Sequence, residues 1–186
     1  MSDLINTEAQ DILNFWLFEC SFQERFQKSE AFDSQIKDRF GHLVEQALQG
    51  GLDSWAEDWD QRLALIILLD QFTRNIYRDN PEAFSGDHKV VQLSIRSTKD
   101  GHLENETDRT KIQFTLMPMM HSEDIEVQDA SLPLFEKYSN EETLKYAIAH
   151  RTIIARFGRF PHRNVILGRE STKEEIAFLK GPNSSF

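Results

Sequence analysis

Cysteine is all but missing from this 186-residue chain: Cys20 stands alone. A single thiol excludes an internal disulfide framework and any multi-cysteine zinc site. Its neighbours Phe18, Glu19, Ser21 and Phe22 are apolar, polar or acidic, so nothing beside it would activate a thiolate. Cys20 therefore reads as a passive residue. Positive charge is scarce as well. The chain has 21 Lys and Arg against 31 Asp and Glu, a net charge of −10. That balance argues against general binding to nucleic acid or to an anionic membrane, and leaves room for a local basic pocket. Long hydrophobic runs are lacking; Leu63–Leu69 is the longest and falls far short of a membrane span. The opening segment, MSDLINTEAQDILNFW, has no basic start feeding an apolar stretch, so no signal peptide is expected. Nucleophile-elbow, P-loop and dinucleotide-binding patterns are absent, and His121-x-Glu123 is not the i,i+4 zinc signature. The expectation is a cytoplasmic chain that needs no metal and no cofactor.

Helical signals follow one another along the whole length. Thr7 with Gln10 forms a candidate capping box ahead of Ile12, Phe15 and Trp16. Ser29 caps a helix whose apolar stripe is Phe32, Ile36, Phe40, Leu43, Val44, Ala47 and Leu48, ended by Gly50-Gly51. Asp58 or Asp60 starts the next, in which Leu63–Leu69 is apolar on every side and predicts a central buried helix. Asn80-Pro81 breaks the chain after it. Further helices are predicted from Asp87 to about Lys99 and from Thr107 or Asp108 to a bend or end at Pro118. Others should start at Ser122, with Glu123 in the first turn and a kink or split at Pro133, at Asn140, and at a Ser171–Glu174 capping box. No strand-like alternation of any length appears. The fold predicted is all-α: a single helical domain over residues 1–186, with seven or eight helices in antiparallel hairpins. These would form a tetratricopeptide-like array or a compact bundle.

Charge is distributed unevenly. Residues 143–169 contain no Asp or Glu but hold Lys145, Arg151, Arg156, Arg159, Arg163 and Arg169, so this window carries +6 while the rest carries −16. His150 and His162 lie within it. Crowded guanidinium groups need acids facing them, as an internal ion network or as a pocket for carboxylate or phosphate. The spacing by three of Arg156, Arg159 and His162 predicts basic groups on one side of a helical turn, with Phe157 and Phe160 as core anchors on another. A second constellation ends the apolar helix: Asp70, Gln71, Arg74 and Asn75. Asp70 and Arg74 are i,i+4 with the acid first, and the two amides could floor a pocket. A third is His121 with Glu123, placed to meet an arginine.

Three segments, ILLDQFTRNIYR (67–78), MMHSED (119–124) and HRTIIARFGRFPHRNVILGR (150–169), resemble a bacterial family of uncharacterised proteins assigned a tetratricopeptide-like helical fold. The likeness extends to ILNFW (12–16) and STKEEIAFL (171–179), in order along nearly the whole chain. Thr73 stands where that family usually has proline after DQF. The resemblance implies an all-α fold and carries no established activity, so no catalytic residue comes with it.

The reading of function is a helical scaffold that binds a small anionic ligand or an acidic peptide group. The candidate binding residues are Asp70, Gln71, Arg74, Asn75, His121, Glu123, His150, Arg156, Arg159, His162 and Arg163. One alternative is a hydrolase or phosphotransfer enzyme using paired histidines from His121, His150 and His162 as acid and base. Another is an interaction scaffold whose arginine network is purely structural. Asp70, Arg74, Glu123, Arg156, Arg159 and His162 are expected to converge in space.

Overall fold

Side-chain caps set where most of the longer helices start in the computed structural model, which describes residues 6–182, 184 and 185. Asn6, not Thr7, caps α1 (Thr7–Asn14), its carbonyl oxygen accepting from the amides of Glu8 and Ala9. After α2 (Phe22–Phe26), Ser29 caps α3 (Glu30–Leu48) as expected. Asp58 caps α4, which runs as Trp59–Ile67, a π turn at Leu68–Phe72 and a last turn at Thr73–Ile76. Next come α5 (Asp87–Lys99), the short α6 (His102–Asn105) and α7 (Arg109–Met120), which Asp108 caps. They are followed by α8 (Ile125–Tyr138), α9 (Glu141–Phe157) and α10 (Lys173–Leu179). The described residues thus hold ten helices and no strand.

Other helix boundaries also differ from those expected. Of the two outcomes expected at each proline, an end at Pro118 and a split at Pro133 do not occur, since α7 runs on to Met120 and α8 to Tyr138. Asp124, not Ser122, caps α8, so Glu123 lies before the helix rather than in its first turn. The last capping box is Thr172 with Glu175, one residue later than Ser171 with Glu174. Each cap slipped because two competent side chains stand within two residues of each other, and only tertiary contacts choose between them.

The centre of the molecule is α4. Residues Leu63 to Leu69 are all within 1% of complete burial. Their neighbours include α1, distant in sequence, as well as α5 and α7, the arrangement of a compact bundle. Aromatic rings fill the junction: Phe15, Trp16, Phe32, Phe40, Phe72 and Phe114 are all buried, with Phe15 to Phe40 and Phe40 to Phe72 centroids 5.1 Å apart. A second apolar cluster lies between α7, α8 and α9, including Leu116, Met120, Phe135 and Ala147. Cys20 is buried, and burial, reinforced by Glu24, pushes its thiol pKa up to about 12, so it is inert as read.

The π turn in α4 positions everything that follows. It shifts the hydrogen-bond ladder by one residue, Thr73 N–H donating to Leu68 O. The carbonyl of Leu69 is then served by the Thr73 hydroxyl at 2.8 Å. Such a turn rotates the polar end of the helix relative to its apolar body, and here it sets Asp70 and Gln71 inside the protein, not in solvent.

Candidate functional site

Asp70 is 1% exposed, and both oxygens of its carboxylate are held. Its Oδ1 lies 2.8 Å from His121 Nδ1 and 3.1 Å from an Arg74 guanidinium nitrogen. Its Oδ2 accepts from Gln71 Nε2 at 2.6 Å, and its backbone carbonyl accepts from Arg74 Nη1 at 2.7 Å. Burial opposes ionisation of this carboxyl, but His121, Arg74 and Gln71 together outweigh it and hold the pKa below the usual carboxylate range. An ionised carboxylate can only accept, so His121 carries its proton on Nδ1 and Nε2 is the nitrogen left for chemistry. His121 gets this position from the end of α7, where it is the C-cap residue.

From Asp70 a closed circuit of hydrogen bonds runs through four parts of the chain. Arg74 Nη2 donates to Asp87 Oδ1 at 2.9 Å. Arg163 Nη1 donates to Asp87 Oδ2 at 3.0 Å, and Arg163 Nη2 donates to the His121 carbonyl at 3.0 Å. His121 returns the circuit to Asp70. The end of α4, the start of α5, the end of α7 and the 3₁₀ turn Pro161–Arg163 are thereby tied together. Asp70 and Asp87 overcome the cost of burial and raise the pKa of Arg74. Arg163, pressed by burial and by the charge of Arg74, is lowered to about 10. Its guanidinium lies between two rings, 4.7 Å from the Phe84 centroid and 4.6 Å from that of Phe160.

This circuit forms one wall of a cleft of about 310 Å³. Gln71, Arg74, Asn75, His121, His150, His162 and Arg163 line it, seven of the residues expected from sequence, with Asp70 behind them. His150 Nδ1 donates to the Tyr146 carbonyl at 2.8 Å, and its ring centroid is 6.2 Å from that of His121. Burial, then the neighbouring His121, pushes the His150 pKa down to about 3. Burial and Arg163 bring His162 down to about 4. Both rings are therefore neutral near pH 7.

Arg156 and Arg159 are elsewhere. Arg156 pairs with Glu174 at 2.8 Å, and Arg159 makes a two-pronged pair with Glu175 at 2.7 and 2.9 Å. The spacing by three fails because Gly158, at φ +69°, ends α9 in the left-handed region and the chain leaves it extended. Glu123 also stands apart from Asp70. It accepts from the amide of Phe160 at 2.7 Å and holds Arg169 through two bonds, at 2.7 and 3.0 Å. The convergence expected of six residues thus holds for Asp70, Arg74 and His162 around the cleft, while the other three brace the turn behind it.

Sequence reasoning missed Arg25, Lys28, Arg78 and Phe84 in the cleft wall, and Asp87 behind it. Arg78 stands inside the DQFTRNIYR segment and was open to inspection; its partner is Asp33, at 2.6 and 2.8 Å. Arg25 has no local signal at all. Among the described residues no group of three or more His, Cys, Asp or Glu side chains is arranged to hold a metal, and no helix is long and apolar enough to cross a membrane.

An all-helical bundle with a cleft of histidines and arginines, backed by a buried carboxylate, is the class of protein that fold and site define. The chain belongs to the family described as bacterial protein of unknown function (DUF924), whose profile matches residues 12–183. It is similar to the solved structure of the protein of unknown function ATU0120 from Agrobacterium tumefaciens. That match has 36% identity and a TM-score of 0.87, and covers 94% of this chain and 98% of the other. No curated protein matches the chain.

Proposed function

We propose that this protein binds a small anionic ligand, or the acidic group of a peptide, in the cleft between α2, the end of α4 and the Pro161–Arg163 turn. One observation carries the reading: Arg25, Lys28, Arg74, Arg78 and Arg163 line the cleft and Asp79 is its single acidic lining residue. In a chain of net charge −10 such a concentration of guanidinium groups favours an oxyanion held by forked hydrogen bonds. The volume lies at the small end of ligand pockets. Thermal unfolding with phosphate, sulfate, acetate or citrate, against chloride at equal ionic strength, tests it. A binding anion stabilises by about 2.7 kcal/mol at one hundred times its dissociation constant. Equal melting temperatures in all five salts would sink the reading.

A second reading, hydrolysis or phosphoryl transfer, is favoured by the 2.8 Å bond between Asp70 and His121. A carboxylate that fixes the tautomer of an imidazole and stabilises its protonated form is the usual support of a general base. His121 Nε2 would take the proton of an attacking water. Release of nitrophenol from nitrophenyl phosphate and nitrophenyl acetate, compared between the wild type and His121→Asn, is the assay. Turnover that His121→Asn leaves unchanged, or none at all, would remove this reading.

A further inference from the structure

Resting on the anion-binding reading above, we infer that the ligand is an oxyanion attached to an apolar body, with its charged group on Arg25 and its body against the aromatic rim of the cleft. Arg25 differs from the other cleft arginines. Arg74, Arg78 and Arg163 each have a carboxylate partner, at 2.9, 2.6 and 3.0 Å respectively. Arg25 has none within 4 Å among the described residues; its Nη2 donates to the carbonyls of Leu17 and Cys20, at 3.2 and 2.7 Å, and its Nε is buried without an acceptor. Those two carbonyl bonds fix the guanidinium plane, and the third nitrogen, Nη1, is left to a ligand in the cleft. A cation so held, short of an acid, is a prepared site for an anionic group.

The next residue supplies the second half of the argument. Phe26 lines the same cleft and is 45% exposed, with the ring of the 70% exposed Phe22 tilted against it, centroids 4.8 Å apart. Two phenylalanines in contact on a five-residue helix, both partly open to water, leave apolar surface beside the Arg25 guanidinium. Opposite, Met117, Phe84, Phe160 and Ile166 complete an apolar lining. Free phosphate or acetate would use the charge and leave the exposed faces of Phe26 and Phe84 in water. An aryl or acyl carboxylate, or an aryl phosphate, would cover them, and burial of that surface adds to affinity.

Calorimetric titration of the whole chain with acetate, benzoate and octanoate, and with inorganic phosphate and phenyl phosphate, tests the inference. Benzoate or octanoate should bind at least tenfold tighter than acetate, and phenyl phosphate at least tenfold tighter than phosphate. Arg25→Gln should abolish the binding of every one of these ions. Phe26→Ser should remove the tenfold gain while the parent ions still bind; the wild-type ratios stand whether or not either variant folds. Equal affinity for an ion and its apolar derivative would overturn this inference and leave the anion site intact. Binding by neither would overturn both. Undiminished affinity in a folded Arg25→Gln would overturn the role of Arg25.

Discussion

At the scale of single residues, what decided the site was pairing, which spacing conveys only over a helical turn. Asp70 and Arg74 could be read as partners because i,i+4 on one helix fixes their distance, and they meet at 3.1 Å. Asp87 and Arg25 could not be read, because the partners of Asp87 lie 13 and 76 positions away on other elements and those of Arg25 are backbone carbonyls. Arg159 shows the opposite error, a residue assigned to the pocket that serves the frame. Its forked pair with Glu175 also helps seat the Thr172 capping box, and Glu175 is buried with its pKa held at about 2, first by Arg159 and then by the Thr172 amide. Arg159→Lys keeps the charge and loses the fork. The expected outcome is a lower urea midpoint, from the loss of one of the two hydrogen bonds to Glu175. Anion affinity should not change, because Arg159 does not line the cleft. A weaker anion response with unchanged stability would return Arg159 to the pocket.

At the scale of elements, the sequence displayed the helices well and their ends less well. The Leu63–Leu69 run announced a central helix, and that segment is wholly buried. Nothing in the letters announced that its polar end would unwind into a π turn, since such turns answer to packing around them. The close approach of α5 is part of that packing. Gly86, just before Asp87, sits against Leu69; a side chain there would press into the Leu69 carbonyl and lie 3.0 Å from the Leu69 Cβ. Its φ of −85° is ordinary, so space and not backbone conformation requires glycine. Gly86→Ala should force α5 away from α4 and cost about 1–3 kcal/mol. Because Asp87 follows directly, the bonds from Arg74 and Arg163 to Asp87 should loosen with it, and anion affinity should fall beside stability. A variant as stable as the wild type would show that α5 can shift without strain.

Across the whole molecule, the tie between the cleft and folding stability runs through protons. His150 and His162 have pKa values near 3 and 4 in the folded protein, below an ordinary value of about 6.5. Between pH 6.5 and 4 the unfolded chain takes up protons on these rings and the folded chain does not. The unfolded state then binds more protons, so stability is full above about pH 6.5 and falls as the solution is acidified. Each histidine contributes roughly 1 kcal/mol per pH unit across that range, after allowance for the partial solvent access of His162. Asp70, Glu123 and Glu175, all held below their usual range, act in the same direction once the pH drops under about 4.5, where their unfolded counterparts protonate. Urea unfolding at pH 7.5, 6.5, 5.5 and 4.5 should show a plateau and then a decline beginning near 6.5. Replacing His150 by Gln should remove about half of the decline between 6.5 and 4.5 and leave the part below 4.5. A wild-type curve that stays level down to pH 5 would mean that both rings protonate in the folded state, and a cleft that charges so readily would then bind anions more tightly as pH falls, instead of holding its neutral imidazoles beside fixed guanidinium groups.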